Sequence, residues 1–173
     1  MRAWCTIPHE RDFPLPAEVP GMKRRAALIE LSREHHGALV LTQRIAKAHD
    51  TAAVAHLMDS VPAIFRSELE PHFRIEEASL LPRLAAAGEV EQVRRTLAEH
   101  RELRDLAAKI AAGDRSRLKP FGAALNAHIR FEERELFATA ESVLPAAFLD
   151  HSGQTCDPDP DPTLHEPWCH ENP

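Results

Sequence analysis

The sequence has no tyrosine and few aromatic residues of any kind, 5% in a chain of 173 residues. Both tryptophans, Trp4 and Trp168, stand near the ends. A tyrosyl-radical enzyme is therefore excluded, and a tryptophan relay inside the middle of the chain is not expected. Long apolar runs are also missing. None approaches the roughly 18 residues that a membrane span needs, so no membrane association is expected. Pro8, Pro14, Pro16 and Pro20 interrupt the first twenty residues, which lack the apolar core of a secretory signal, and a cytoplasmic location is the expectation. Cysteine is scarce: Cys5, Cys156 and Cys169 are odd in number and two lie near the C-terminus, so they make no disulfide framework.

Basic residues are absent from one region. All 21 Lys and Arg lie before residue 143. Residues 143–173 hold Asp150, Asp157, Asp159, Asp161, Glu166 and Glu171, so the net charge of -6 belongs to this segment alone. Nothing resembles the basic footprint of a nucleic-acid binder, and no nucleic-acid partner is expected. Ten of the 14 prolines fall in residues 1–21 or 143–173. The alternating run Asp157 to Pro162 cannot form a helix or a central strand. These segments read as an irregular N-terminal arm (1–21) and an acidic, proline-rich tail (143–173) around a compact middle (22–142). The tail is the natural contact for a protein partner. Its Cys156, His165, Cys169 and His170 match no firm zinc or disulfide spacing, and a disordered tail is the simpler reading.

The middle is rich in Ala, Leu, Glu and Arg, all strong helix formers. Apolar residues recur at helical spacing, as in the seam Leu28, Leu31, Ala38 and Ile45. Four helices are predicted: about 22–48, 61–87, 89–112 and 116–143. Gly88 and Gly113 act as stops. Residues 50–60 are either a helical extension or a short separate turn. Pro71 and Pro82 should kink the second helix, and Pro120 is tolerated at the start of the fourth. Short connections imply antiparallel neighbours, giving an all-α, up-down antiparallel four-helix bundle.

Four of the 11 histidines sit in an internal repeat. His72-Phe73-Arg74-Ile75-Glu76-Glu77 and His128-Ile129-Arg130-Phe131-Glu132-Glu133 share the order His, apolar, Arg, apolar, Glu, Glu. Leu80-Leu81 and Leu136-Phe137 follow at matching offsets. Glu34-His35 in the first helix is echoed by Glu99-His100 in the third. Each half thus offers one helix with a Glu-His pair and one with His-x-x-x-Glu, the signature of a pseudo-twofold arrangement.

Residues i and i+4 share a helix face, about 6 Å apart along the axis. His72 with Glu76, and His128 with Glu132, can therefore converge. Phe65, Leu69 and Leu125 on the same stripes turn them inward, and His35 continues the Leu28–Leu31 seam. His36 competes with His35; the seam and the repeat favour His35. His49 and His56 fall away from this level. Two buried carboxylates need a partner or a metal. Arg74 and Arg130 point largely away, so a metal compensates better. The candidate ligands are His35, His72, Glu76, His100, His128 and Glu132. Four imidazoles and two carboxylates exceed the needs of one structural zinc and suit a pair of first-row metals. Iron is favoured, with manganese or zinc as substitutes. Ferritin-type di-iron bundles use Glu-x-x-His with more carboxylates, so the reversed order and wider spacing disfavour that class.

On these residues the middle resembles the hemerythrin-like, or HHE cation-binding, family. The matching elements are Glu34-His35, His72-x-x-x-Glu76 followed by Leu80-Leu81-Pro82, Glu99-His100, and His128-x-x-x-Glu132. The resemblance covers about residues 22–142 and implies a four-helix bundle holding a non-haem di-iron centre. It implies His35 and His72 on one iron, His100 and His128 on the other, and Glu76 and Glu132 bridging. Two departures stand out. Oxygen-carrying members have a further histidine four residues after the third-helix histidine, where this chain has Arg104. They also have Asp five residues after the fourth-helix histidine, where this chain has Glu132 at four and Glu133 at five. Glu77 and Glu133 are expected outside the ligand set. Arg104 reads as a surface cation or a guard of an open metal position.

The missing histidine argues against simple oxygen transport and is closer to bacterial HHE domains and the iron-sensing domain of a mammalian F-box protein. The expected function is binding or sensing of oxygen, peroxide or nitric oxide, which fits a binding protein better than an enzyme. The rivals are a di-iron enzyme with peroxidase-like or nitric-oxide-reducing activity, and an iron-responsive interaction module.

Overall fold

A computed structural model describes residues 25–150, and these are helical with no strand. The N-terminal arm and most of the acidic tail, with Cys5, Cys156 and Cys169, lie outside the described residues. Helix α1 is Ala26–Lys47. Helix α2 spans 51–86, helix α3 is Val90–Ala111, and helix α4 spans 118–143 after a short 3-10 turn, Arg115–Arg117. A last short helix, α5, is Ala146–Asp150.

Local chemistry sets the boundaries. Asp50 starts α2 by accepting a hydrogen bond from the Ala53 backbone N–H at 2.7 Å. The segment 51–60 is therefore continuous with the second helix, which begins ten residues earlier than the predicted 61. Leu57 and Val61 bury this extension. Gly88 and Gly113 terminate α2 and α3 with φ of 96° and 94°, the left-handed region where only glycine is unstrained. Both ends close with the same pair of turns. Gly88 N–H bonds Ala85 C=O and Glu89 N–H bonds Leu84 C=O. Gly113 N–H bonds Ile110 C=O and Asp114 N–H bonds Lys109 C=O.

Three π-helical turns interrupt the long helices: Phe65–Leu69 and Glu76–Leu80 in α2, and Glu132–Leu136 in α4. The disturbance expected at Pro71 and Pro82 takes this form, since each proline follows such a turn by two residues. Proline lacks the N–H that a regular helix needs and crowds the carbonyl four residues back. The turn in α4 has no proline behind it. It begins at Glu132 as the one in α2 begins at Glu76, so this pair also follows the repeat, and such a turn forms here without a proline.

Helix α1 packs on α4, α4 on α3, and α2 on α3. Two apolar clusters lie at different levels. One holds Leu41, Ile45, Val61, Phe65, Ile110 and Phe121. The other holds Leu28, Leu80, Leu84, Leu136, Phe137 and Leu149. Full burial of one such leucine is worth about 1.5–3 kcal/mol. Each long helix runs from one cluster to the other: α1 and α3 from the second to the first, α2 and α4 from the first to the second. Its histidine lies at the crossing. Helix α5 lies in the stretch expected to be non-helical tail. Leu149 is buried there and Arg25 pairs with Asp150 at 3.0 Å, so the packed part extends to Asp150.

Candidate metal centre

Between the two clusters lies a layer of buried polar side chains. His35, His72, His100 and His128 are 0–4% exposed, and Glu76 and Glu132 are 0% exposed. The six fall into two overlapping groups: His35, His72, Glu76 and Glu132, then Glu76, His100, His128 and Glu132. Within each group, one donor atom from every residue lies within 4.8 Å of the others. Both carboxylates belong to both groups. His36, His49 and His56 are exposed and stand apart.

The Nε2 atoms face inward. His35 Nε2 is 3.1 Å from Glu132 Oε2, and His72 Nε2 is 3.4 Å from Glu76 Oε1. His100 Nε2 is 3.3 Å from Glu76 Oε2, and His128 Nε2 is 3.3 Å from Glu132 Oε1. The Nδ1 atoms face outward, each toward its own glutamate: His35 to Glu133 at 2.7 Å, His72 to Glu34 at 2.5 Å, His100 to Glu77 at 2.8 Å, and His128 to Glu99 at 2.9 Å. A carboxylate accepts, so each Nδ1–H donates and each Nε2 keeps its lone pair for the centre.

These outer contacts form a closed ring. Glu34 of α1 holds the histidine of α2, Glu77 of α2 that of α3, Glu99 of α3 that of α4, and Glu133 of α4 that of α1. The repeat carried the signal: the acid before each first histidine and the second acid of each Glu-Glu pair fill equivalent places. Sequence reading placed these acids outside the ligand set but did not find that each serves the neighbouring helix. Two arginines brace the ring. Arg104 bonds Glu77 at 2.9 Å and Glu70 at 2.8 Å, and Arg95 bonds Glu99 at 2.7 Å. Arg104 is thus not a free surface cation: Glu70 and Glu77 hold it, and it fixes the acid behind His100. Both arginines also hold Glu77 and Glu99 below the usual carboxylate range against the opposing effect of burial, together with His100 and His128 respectively.

The inner carboxylates are different. Burial, and then the charge of Glu76, push Glu132 well above the ordinary carboxylate range. Burial would raise Glu76 too, but the facing imidazoles of His100 and His72 outweigh it and hold it low. Two carboxylates this close do not both ionise without a cation. Neither oxygen of Glu76 or Glu132 has a hydrogen-bond partner, and neither has Nε2 of His100 or His128. His35 Nε2 and His72 Nε2, whose Nδ1 atoms face the outer acids, lie 3.1 Å apart. Orphaned buried donors cost several kcal/mol apiece when charged. A shared set of inward lone pairs and carboxylates is the donor chemistry of a first-row metal site.

Residues 27–140 match the family model of the hemerythrin HHE cation-binding domain. The chain belongs to the hemerythrin HHE family. No curated protein and no solved structure matches the chain. The HHE match covers all of α2 and α3, nearly all of α1 and α4, and both His/Glu groups. Among the described residues, no helix is long and apolar enough to cross a membrane.

Proposed function

We propose that the chain is a non-haem di-iron protein that binds or senses oxygen, peroxide or nitric oxide. His35 and His72 hold one ion, His100 and His128 the other, and Glu76 and Glu132 join the two. The observation that carries this reading is the pair of buried donor groups sharing the same two carboxylates, whose oxygens are left unpartnered together with Nε2 of His100 and His128. The alternating order in which the helices pass between the apolar clusters supports an up-down antiparallel four-helix bundle around the centre.

Each ion would receive four donors from the chain. That is fewer than the roughly six of an octahedral site, which leaves room for a small exogenous ligand. When bound, the metal pair supplies redox-active Lewis-acid chemistry for such ligands. The chain's own residues orient the imidazoles through the outer acids, keep Nε2 unprotonated, and exclude bulk water with the two apolar clusters.

Optical spectra of the iron-loaded protein, with and without oxygen or nitric oxide, test this function. A stable ligand-dependent change without turnover is expected. Sustained consumption of peroxide or nitric oxide would instead identify the enzyme.

A further inference from the structure

The repeat predicts that the two halves of the centre have equivalent surroundings, and they do not. Counting from the paired histidines His35 and His100, Ala38 corresponds to Leu103. The Leu103 side chain is buried at 1% exposure and fills its place in the core. At Ala38 the shorter side chain borders a cavity of about 200 Å³. Counting from His72 and His128, the π-helical turn Phe65–Leu69 corresponds to Phe121–Leu125, which is ordinary α-helix inside Leu118–Phe131. The extra turn supplies the cavity's outer wall through Ser67, Glu68 and Leu69. Small residue and irregular turn coincide in one half only.

The cavity runs from surface to centre. At its mouth stand Glu34 and Glu68, both exposed. Glu68 Oε2 lies 4.0 Å from where a Cβ on Gly37 would stand, so α1 and the turn approach closely here. Deeper in, the walls are Ala38, Leu69, Leu125 and Ile129, and the inner end touches His35, His72 and His128. His100 is not in contact with it. The lining residues include no lysine or arginine.

From this asymmetry we infer that the cavity beside Ala38 is the access route to the centre, and that it passes small uncharged molecules while turning anions away. The volume limits the guest to a small molecule, of roughly benzene size at most, the apolar walls offer no partner for a charge, and two carboxylates at the mouth repel anions. Oxygen, nitric oxide and undissociated hydrogen peroxide fit this class; azide, nitrite and superoxide do not. The inference rests on the proposed metal centre for its purpose but not for its existence.

Two experiments on the full chain separate these. In crystals under xenon pressure, xenon is expected beside Ala38 in the native protein and absent from Ala38→Leu, with or without metal, because apolar cavities take up such gases. Absence of xenon there in the native protein would overturn the route. In rapid mixing with iron-loaded protein, Ala38→Leu should slow nitric oxide binding by roughly tenfold or more at unchanged iron content, because a filled core leaves little free volume. Native-rate binding in that variant would also overturn it, and Ala38→Val serves if the leucine variant does not fold. Glu68→Gln should raise the azide on-rate a few-fold and leave nitric oxide unchanged; equal effects on both would contradict the charge filter. If native protein takes up no iron while xenon still fills the cavity, the metal proposal fails and the cavity stands.

Discussion

A histidine in this centre is defined by two contacts, and the two do different work. Its Nε2 faces the shared carboxylates, and its Nδ1 donates to an acid on the neighbouring helix. Removing the ring removes a ligand: His128→Ala should lose iron binding while keeping helical content, read by metal analysis and circular dichroism. Removing only the outer charge should be milder. Glu77→Gln still offers an acceptor to His100, yet weakens orientation and basicity, and metal affinity should fall by about 10–100-fold in competition with a chelator. An unaltered affinity would mean that the outer ring is ornamental. The inner residues were legible in the sequence because spacing and repetition pick them out. The role of Arg104 was not. Its partners, Glu70 and Glu77, lie 34 and 27 residues away, and no local pattern records a contact across helices.

The helices are specified by signals of unequal clarity. Gly88 and Gly113 could be read as stops because the left-handed conformation that ends a helix is costly for other residues. Gly113→Ala should therefore destabilise by about 1 kcal/mol, measured by urea unfolding. Gly122 has another purpose, invisible in sequence. An added Cβ would stand 2.8 Å from Ile45 Cγ2 and 3.2 Å from its Cβ, so Gly122 sets how closely α4 approaches α1. Gly122→Ala should cost about 1–3 kcal/mol through overpacking, more than the exposed stop. The start of α2 was misplaced because Asp50 is one capping residue among many candidate acids, and only the burial of Leu57 and Val61 decides the matter. The π-helical turns also escaped sequence reading, since they arise where the repeat's glutamates and the prolines meet tertiary constraint.

At the scale of the whole molecule, the two apolar clusters alone would make an adequate core, and the polar layer between them works against it until its charges are matched. Metal removal should therefore lower the melting temperature, and added metal should raise it progressively with concentration. Glu132→Gln removes one of the two facing carboxylates. It should raise the melting temperature of the metal-free protein at neutral pH and abolish the metal-dependent gain, because burial and Glu76 make Glu132 hold its proton where the unfolded chain would release it, a folding cost that a neutral amide does not carry. A bundle with no metal role would show the same melting temperature with and without chelator. The helical bundle was visible in composition and periodicity, whereas the half-specific cavity depends on an alanine opposite a leucine and needs the packed structure to be seen. The central claim, that four histidines and two glutamates form one site for a pair of ions, is tested most directly by the iron content of the full chain after anaerobic reconstitution. The account predicts about two irons per chain. Fewer than about one would contradict it.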